Sequence, residues 1–170
     1  MNRQLISNDL RTIVPAPMDV ASFRPFGDYV QRPATTGRVD CGRDLESNRA
    51  DARPCVFLTC REPATGSYVR VSEMERHQFS SQTFVHMSGG RWLVVVCPSD
   101  ATGGPDIAAT QAFIAGPSDV VTYKPDIWHH SLTVLDAPSC HAVVMWRNDS
   151  SADEEFRPVN AFDVSLATLF

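Results

Sequence analysis

Residues 73–90, EMERHQFSSQTFVHMSGG, gather side chains that can move protons or hold a small ligand. If 73–77 is extended, Glu75 and His77 lie two residues apart and point to one face, while Arg76 points to the other. Four residues then separate His77 from Gln82, enough for a tight bend and a new strand. Six more lead to Gly89, which can supply the positive φ of a turn. Downstream, PDIWHH (125–130) offers His129 and His130. A carboxylate, an amide and two histidines suit general acid–base chemistry, because imidazole titrates near neutrality. Alternation places His130 on the face of Leu132 and Val134, and His129 with Ser131 and Thr133. His130 is therefore the expected inward residue, although a bulge would exchange the two. On an exposed edge the same residues would be a solvated face. Their arrival together at barrel-compatible spacings favours a pocket.

Such side chains need a rigid frame, and the rest of the chain reads as short strands between turns. Strands are expected at 55–60 (CVFLTC), 68–75 (YVRVSEME), 83–87 (TFVHM), 92–97 (WLVVVC), 111–115 (QAFIA), 120–124 (VVTYK), 131–135 (SLTVL) and 140–146 (CHAVVMW). The separators are rich in Gly, Pro, Ser and Asp. This spacing predicts an antiparallel sandwich or barrel. Helix is expected only at the periphery: Asp19 can cap a short one that Pro25 limits, and PDIAATQAF (105–113) can open with one turn. The reading is of one domain, 1–170, with an N-terminal arm and loop over about 1–54, a barrel core over about 55–149 and a loosely docked tail over 150–170.

The chain has 170 residues, 43% hydrophobic and 21% charged, which suits a single sizeable core. A net charge of −5 and singly scattered basic residues argue against nucleic acid. No stretch approaches a membrane span or a signal-peptide core, and TLF at the end is not a peroxisomal tripeptide. The five cysteines form no C-x-x-C pair, and three lie in apolar runs. Buried free thiols in a cytoplasmic protein are expected, with a small soluble molecule as partner.

The spacing of Glu75, His77, Gln82 and Gly89 resembles the first motif of the cupin superfamily, a double-stranded jelly roll, and Pro125 and His130 fit its second. More specifically, FRPFGDYV, VFLTCREPA, EMERHQFSSQTFVHM, WLVVVCP, PDIAATQAFIAG, VVTYKPDIWHHSL and AVVMWRND, in this order over roughly 23–149, resemble the ureidoglycolate lyase family. Residues 31–54 depart most, and Ser131 stands where the family pattern has proline. The resemblance implies an all-β cupin barrel with short peripheral helices. It implies a carbon–nitrogen lyase that cleaves (S)-ureidoglycolate to glyoxylate and urea in allantoin degradation. On that basis His77 and His130 are the expected base and acid. Glu75 orients or charges one of them, and Gln82 bonds the ureido group or the developing aldehyde oxygen. The substrate carboxylate needs a cation: Lys124 first, then Arg61 and Arg147, with His86 and His129 as further candidate pocket residues.

No cofactor is expected to be required. A divalent metal, if used, would take Glu75, His77, Gln82 and His130, though an amide oxygen is a weak ligand for a transition metal. Two alternatives share these positions: a metal-dependent dioxygenase or isomerase of the same superfamily, and a non-catalytic module that binds a small acid. A homodimer is expected by analogy and from the need to cover sheet edges.

Overall fold

The β-branched and aromatic runs pair into two sheets in the computed structural model of the chain, which describes residues 10–167. The expectations about a signal peptide and a terminal targeting tripeptide fall partly or wholly outside those residues. In chain order the elements are β1 (Thr12–Ile13), β2 (Ala16–Pro17), α1 (Val20–Phe23), β3 (Gly27–Gln31), β4 (Arg53–Arg61), β5 (Tyr68–Arg76), β6 (Gln82–Ser88) and β7 (Trp92–Cys97). A 3-10 turn (Ile107–Ala109) precedes β8 (Gln111–Ala115), β9 (Asp119–Tyr123), β10 (Trp128–His129), β11 (Thr133–Val134), β12 (Ser139–Arg147) and β13 (Glu155–Ser165). One sheet runs β1-β13-β5-β10-β7-β8-β2, with β11 also on β7, and the other runs β3-β9-β6-β12-β4. This is the expected all-β double-sheet architecture with short peripheral helical turns.

The core follows from strand alternation. Trp92, Val94 and Val96 of β7 join Phe84, Val121, Tyr123 and Val143 in a cluster between the sheets. Leu93, Val95 and Cys97 face the other way, toward Val71, Trp128, Phe162 and Val164. With both faces covered, β7 is buried throughout, which is why WLVVVC reads as an unbroken apolar run. Gly89 has φ of +106°, and a Cβ there would stand 2.2 Å from Ser139 Oγ, so the turn after β6 requires glycine.

Several expectations are corrected. Asp19 caps the short helix expected before Pro25, accepting from the Ala21 and Ser22 amides at 2.9 and 3.1 Å, but Gly27–Gln31, beyond it, is strand. The arm is woven into the barrel, since β1 pairs in parallel with β13 and β2 with β8. The C-terminal segment is no loose tail: β13 is an eleven-residue strand on β5, and it buries Phe162 and Val164, with Leu166 following. The period-two pattern F-D-V-S-L at 162–166 was the available signal. Of 131–135 only Thr133 and Val134 pair as strand. Cys60 and Cys140 are not free thiols but a disulfide across β4 and β12, where the register sets them directly opposite. Cys41, Cys55 and Cys97 are free, and of these Cys97 is fully buried.

Candidate active site

β5 delivers Glu75 to the barrel interior, and His77 follows just past the strand's end. The bend 78–81 then carries the chain into the second sheet, where Gln82 opens β6 and lines the same cavity. β10 lies beside β5 with His129 directly opposite Glu75. A cavity of about 300 Å³ results, whose polar lining includes Arg61, Glu75, His77, Gln82, Arg147 and Asp153. That size suits a molecule of roughly ten heavy atoms.

The structure turns His129, not His130, toward Glu75. His129 Nε2 is 2.9 Å from Glu75 Oε1, and its ring lies 5.5 Å from that of His77 and 4.5 Å from that of Tyr123. The reason is an extra residue opposite β7. Going from His129 to Thr133 takes four steps while their partners Val96 and Leu93 are three apart. Strict alternation back from Val134 therefore fails by one, and the histidines exchange faces. His130 is half-buried on the other side, its amide bonded to the Val95 carbonyl at 2.9 Å.

Hydrogen bonds define the two inward rings. His77 Nδ1 is 2.8 Å from the Asp153 carbonyl, which only accepts, so Nδ1 carries the proton and Nε2 presents its lone pair. That Nε2 is buried with no hydrogen-bond partner among the described residues, as is Gln82 Oε1. Burial, and then the positive charge of His129, push the His77 pKa down to about 4. His129 faces an acceptor at each ring nitrogen: the Ile127 carbonyl at 3.0 Å from Nδ1, and Glu75 at Nε2. An imidazolium satisfies both, as does a cation that takes Nε2 and the carboxylate together. Burial of Glu75 disfavours its charge, but the hydrogen bond from His129, the two histidine charges and Ser131 outweigh it and hold the pKa down at about 2.

Other expected residues divide. Arg61 and Arg147 line the cavity. Arg147 is already engaged, with Nε 3.6 Å from Asp153 and Nη2 4.0 Å from Glu154, whereas Arg61 makes no ion pair among the described residues. Lys124 is not at the site, because Nζ bonds the Arg24 carbonyl at 2.9 Å. His86 has the expected parity, but Phe84 stands between it and Gln82, and its ring packs at 4.9 Å on His141. Arg76 is structural, buried between Asp126 at 2.6 Å and Glu155 at 2.6 Å. Asp153 was missed, since its contribution is a backbone carbonyl that no residue-type pattern advertises.

As a metal site the residues fit. Glu75, His77 and His129 each offer a ligand atom, all within 4.8 Å of one another. Both histidines anchor Nδ1 on a carbonyl, the usual support of metal-binding imidazole, which leaves Nε2 as the ligating atom, open in His77 and facing the Glu75 carboxylate in His129. His130, expected in the set, is replaced by His129.

A family profile described as Ureidoglycolate lyase matches residues 10–163. A ureidoglycolate lyase of Mesorhizobium japonicum is 31% identical, over 91% of this chain and 98% of its own length. One from Brucella melitensis is 32% identical, over 79% of this chain and 83% of its own. Among solved structures, a dTDP sugar isomerase from Desulfovibrio desulfuricans aligns with a TM-score of 0.49 and 15% identity, over 78% of this chain and 82% of that one.

Proposed function

The chain belongs to the ureidoglycolate lyase family, and on that premise we propose that the cavity cleaves ureidoglycolate to glyoxylate and urea. The observation that carries this reading is the buried His77 Nε2, unprotonated and without a partner among the described residues, at a cavity of the right size. The reaction moves one proton from the substrate hydroxyl to the leaving ureido nitrogen and consumes no water. A single base beside that carbon suffices. His77 Nε2 takes the hydroxyl proton, the carbon–nitrogen bond breaks as the aldehyde forms, and the proton passes to the nitrogen. The His129 imidazolium, held by Glu75, stabilises the negative charge that develops on the reacting oxygen. Gln82 Oε1 accepts from the ureido N–H groups. (S)-Ureidoglycolate is the assigned enantiomer, so incubation with racemate should release urea and stop at about half conversion. Conversion of the whole racemate, or of none, contradicts the assignment.

Arg61 is the uncommitted cation for the substrate carboxylate, with Arg147 beside it. Arg61→Ala should raise KM about tenfold or more and leave kcat within about threefold, because the contact is made equally in ground and transition states. An unchanged KM would remove Arg61 from the carboxylate site.

A second reading rests on the convergence of Glu75, His77 and His129. A divalent cation held by these three, with Gln82 Oε1 the next donor in the cavity lining, would supply Lewis-acid polarisation of the hydroxyl and carboxylate oxygens. Urea release that survives exhaustive chelation supports the proton shuttle. Loss on chelation with recovery on adding one metal supports the second reading.

The chain pairs with a second copy along β4. This nine-residue strand is a sheet edge whose outward Val56 and Leu58 are 65% and 68% exposed. Sedimentation should give the dimer mass, and a single boundary at monomer mass would contradict the pairing.

A further inference from the structure

The long segment between β3 and β4 departs most from the family pattern, yet one of its side chains, Arg49, makes four hydrogen bonds beside the site. Residues 46–48 run beside the bend that carries His77 to Gln82. The Asn48 amide bonds the Phe79 carbonyl at 2.7 Å, and the Ser81 amide bonds the Glu46 carbonyl at 3.0 Å. Arg49 then crosses the face of Phe79, 4.3 Å from its centroid, and enters the turn between β12 and β13. There Nη1 donates to Asn148 Oδ1 at 2.6 Å, Ser150 Oγ at 3.2 Å and Asp153 Oδ1 at 3.1 Å, while Nη2 donates to the Ala152 carbonyl at 2.6 Å. The Arg49 side chain is 14% exposed and that of Asp153 3%. Asp153 closes the same turn from within, its carboxylate accepting from the Asn148 and Asp149 amides at 3.2 and 2.8 Å. Its carbonyl meets His77 Nδ1 at 2.8 Å.

We propose that Arg49 is a positioning residue for His77: it fixes the 148–153 turn so that the Asp153 carbonyl holds the imidazole with Nδ1 protonated and Nε2 open to the cavity. The inference rests on the lyase reading for its catalytic consequence, and on geometry alone for the tautomer. Guanidinium suits the task because one planar fork reaches three side-chain acceptors and a carbonyl while its face packs on an aromatic ring. No other described side chain joins the bend after β5 to the turn before β13 in this way. A carbonyl held in place from outside the site is the kind of support that typically changes activity 10- to 100-fold when lost.

The test is Arg49→Met in the full chain, read by two independent measurements. Nitrogen-15 correlation spectra at pH 7 report which ring nitrogen of His77 carries the proton. Steady-state urea release reports kcat and KM. The wild type should show the Nδ1–H tautomer alone. The variant should show a mixed ring and a kcat lower by about 10- to 100-fold, with KM within about threefold. A folded variant with an unchanged His77 spectrum, or with full kcat, overturns the proposal. If Arg49→Met does not fold, Arg49→Lys keeps the charge without the fork, and the same two results decide. Absence of urea release by the wild type alongside a changed His77 spectrum would sink the lyase reading while supporting the positioning.

Discussion

His77→Ala should lower kcat by about 100- to 10,000-fold, the range expected when a positioned general base is removed. KM should change little, because the substrate carboxylate and ureido group are held by other side chains. The pH profile of the wild type carries the same claim. His77 must be unprotonated to accept the hydroxyl proton, and its pKa is depressed to about 4. Activity should therefore be nearly flat as pH falls from 7 to 5 and then decline as His77 takes up a proton near pH 4. A base at the ordinary histidine value would instead lose half its activity near pH 6.5. A decline centred there, or a His77→Ala variant within tenfold of the wild type, would take His77 out of the proton-transfer step.

The second large effect separates two adjacent histidines. His129→Ala should cost about 100- to 1,000-fold in kcat, the range for loss of an oriented charge at the reacting oxygen. The same change leaves Glu75 as a largely buried carboxylate without its partner, so some loss of stability should accompany it. His130→Ala should leave kcat within about threefold, since His130 turns away from the cavity. The pair of variants tests the extra residue between β10 and β11 as much as it tests catalysis. Equal losses would mean that both rings reach the substrate, and a larger loss at His130 would restore the simple alternation.

The particular residues show what a sequence does and does not disclose. WLVVVC and QAFIA are strands with the expected bounds, because burial on both faces leaves a short unbroken apolar run. The spacing of Glu75, His77 and Gln82 brings them to one cavity, since β5, the bend and β6 keep regular geometry across the two sheets. Counting failed from Val134 back to His129, because one unpaired residue inverts parity and nothing in SLTVL marks it. His86 failed for a different reason: parity gives a face but no depth, and Phe84 separates it from the site. Lys124 sits next to the right turn, yet the Arg24 carbonyl claims its amine. The Cys60–Cys140 bond depends on the β4–β12 register, which links positions eighty residues apart. Arg49 and the Asp153 carbonyl were out of reach altogether, because they act through tertiary hydrogen bonds between segments with no period of their own.

The most direct test of the central claim, that this cavity breaks the carbon–nitrogen bond of ureidoglycolate as a lyase, is product analysis with substrate labelled in the ureido carbon. Labelled urea and glyoxylate are expected in equal amounts, with no ammonia and no labelled carbon dioxide. Ammonia with labelled carbon dioxide would mean hydrolysis of the ureido group, which needs an activated water that the proton shuttle at His77 does not provide, and would contradict the account.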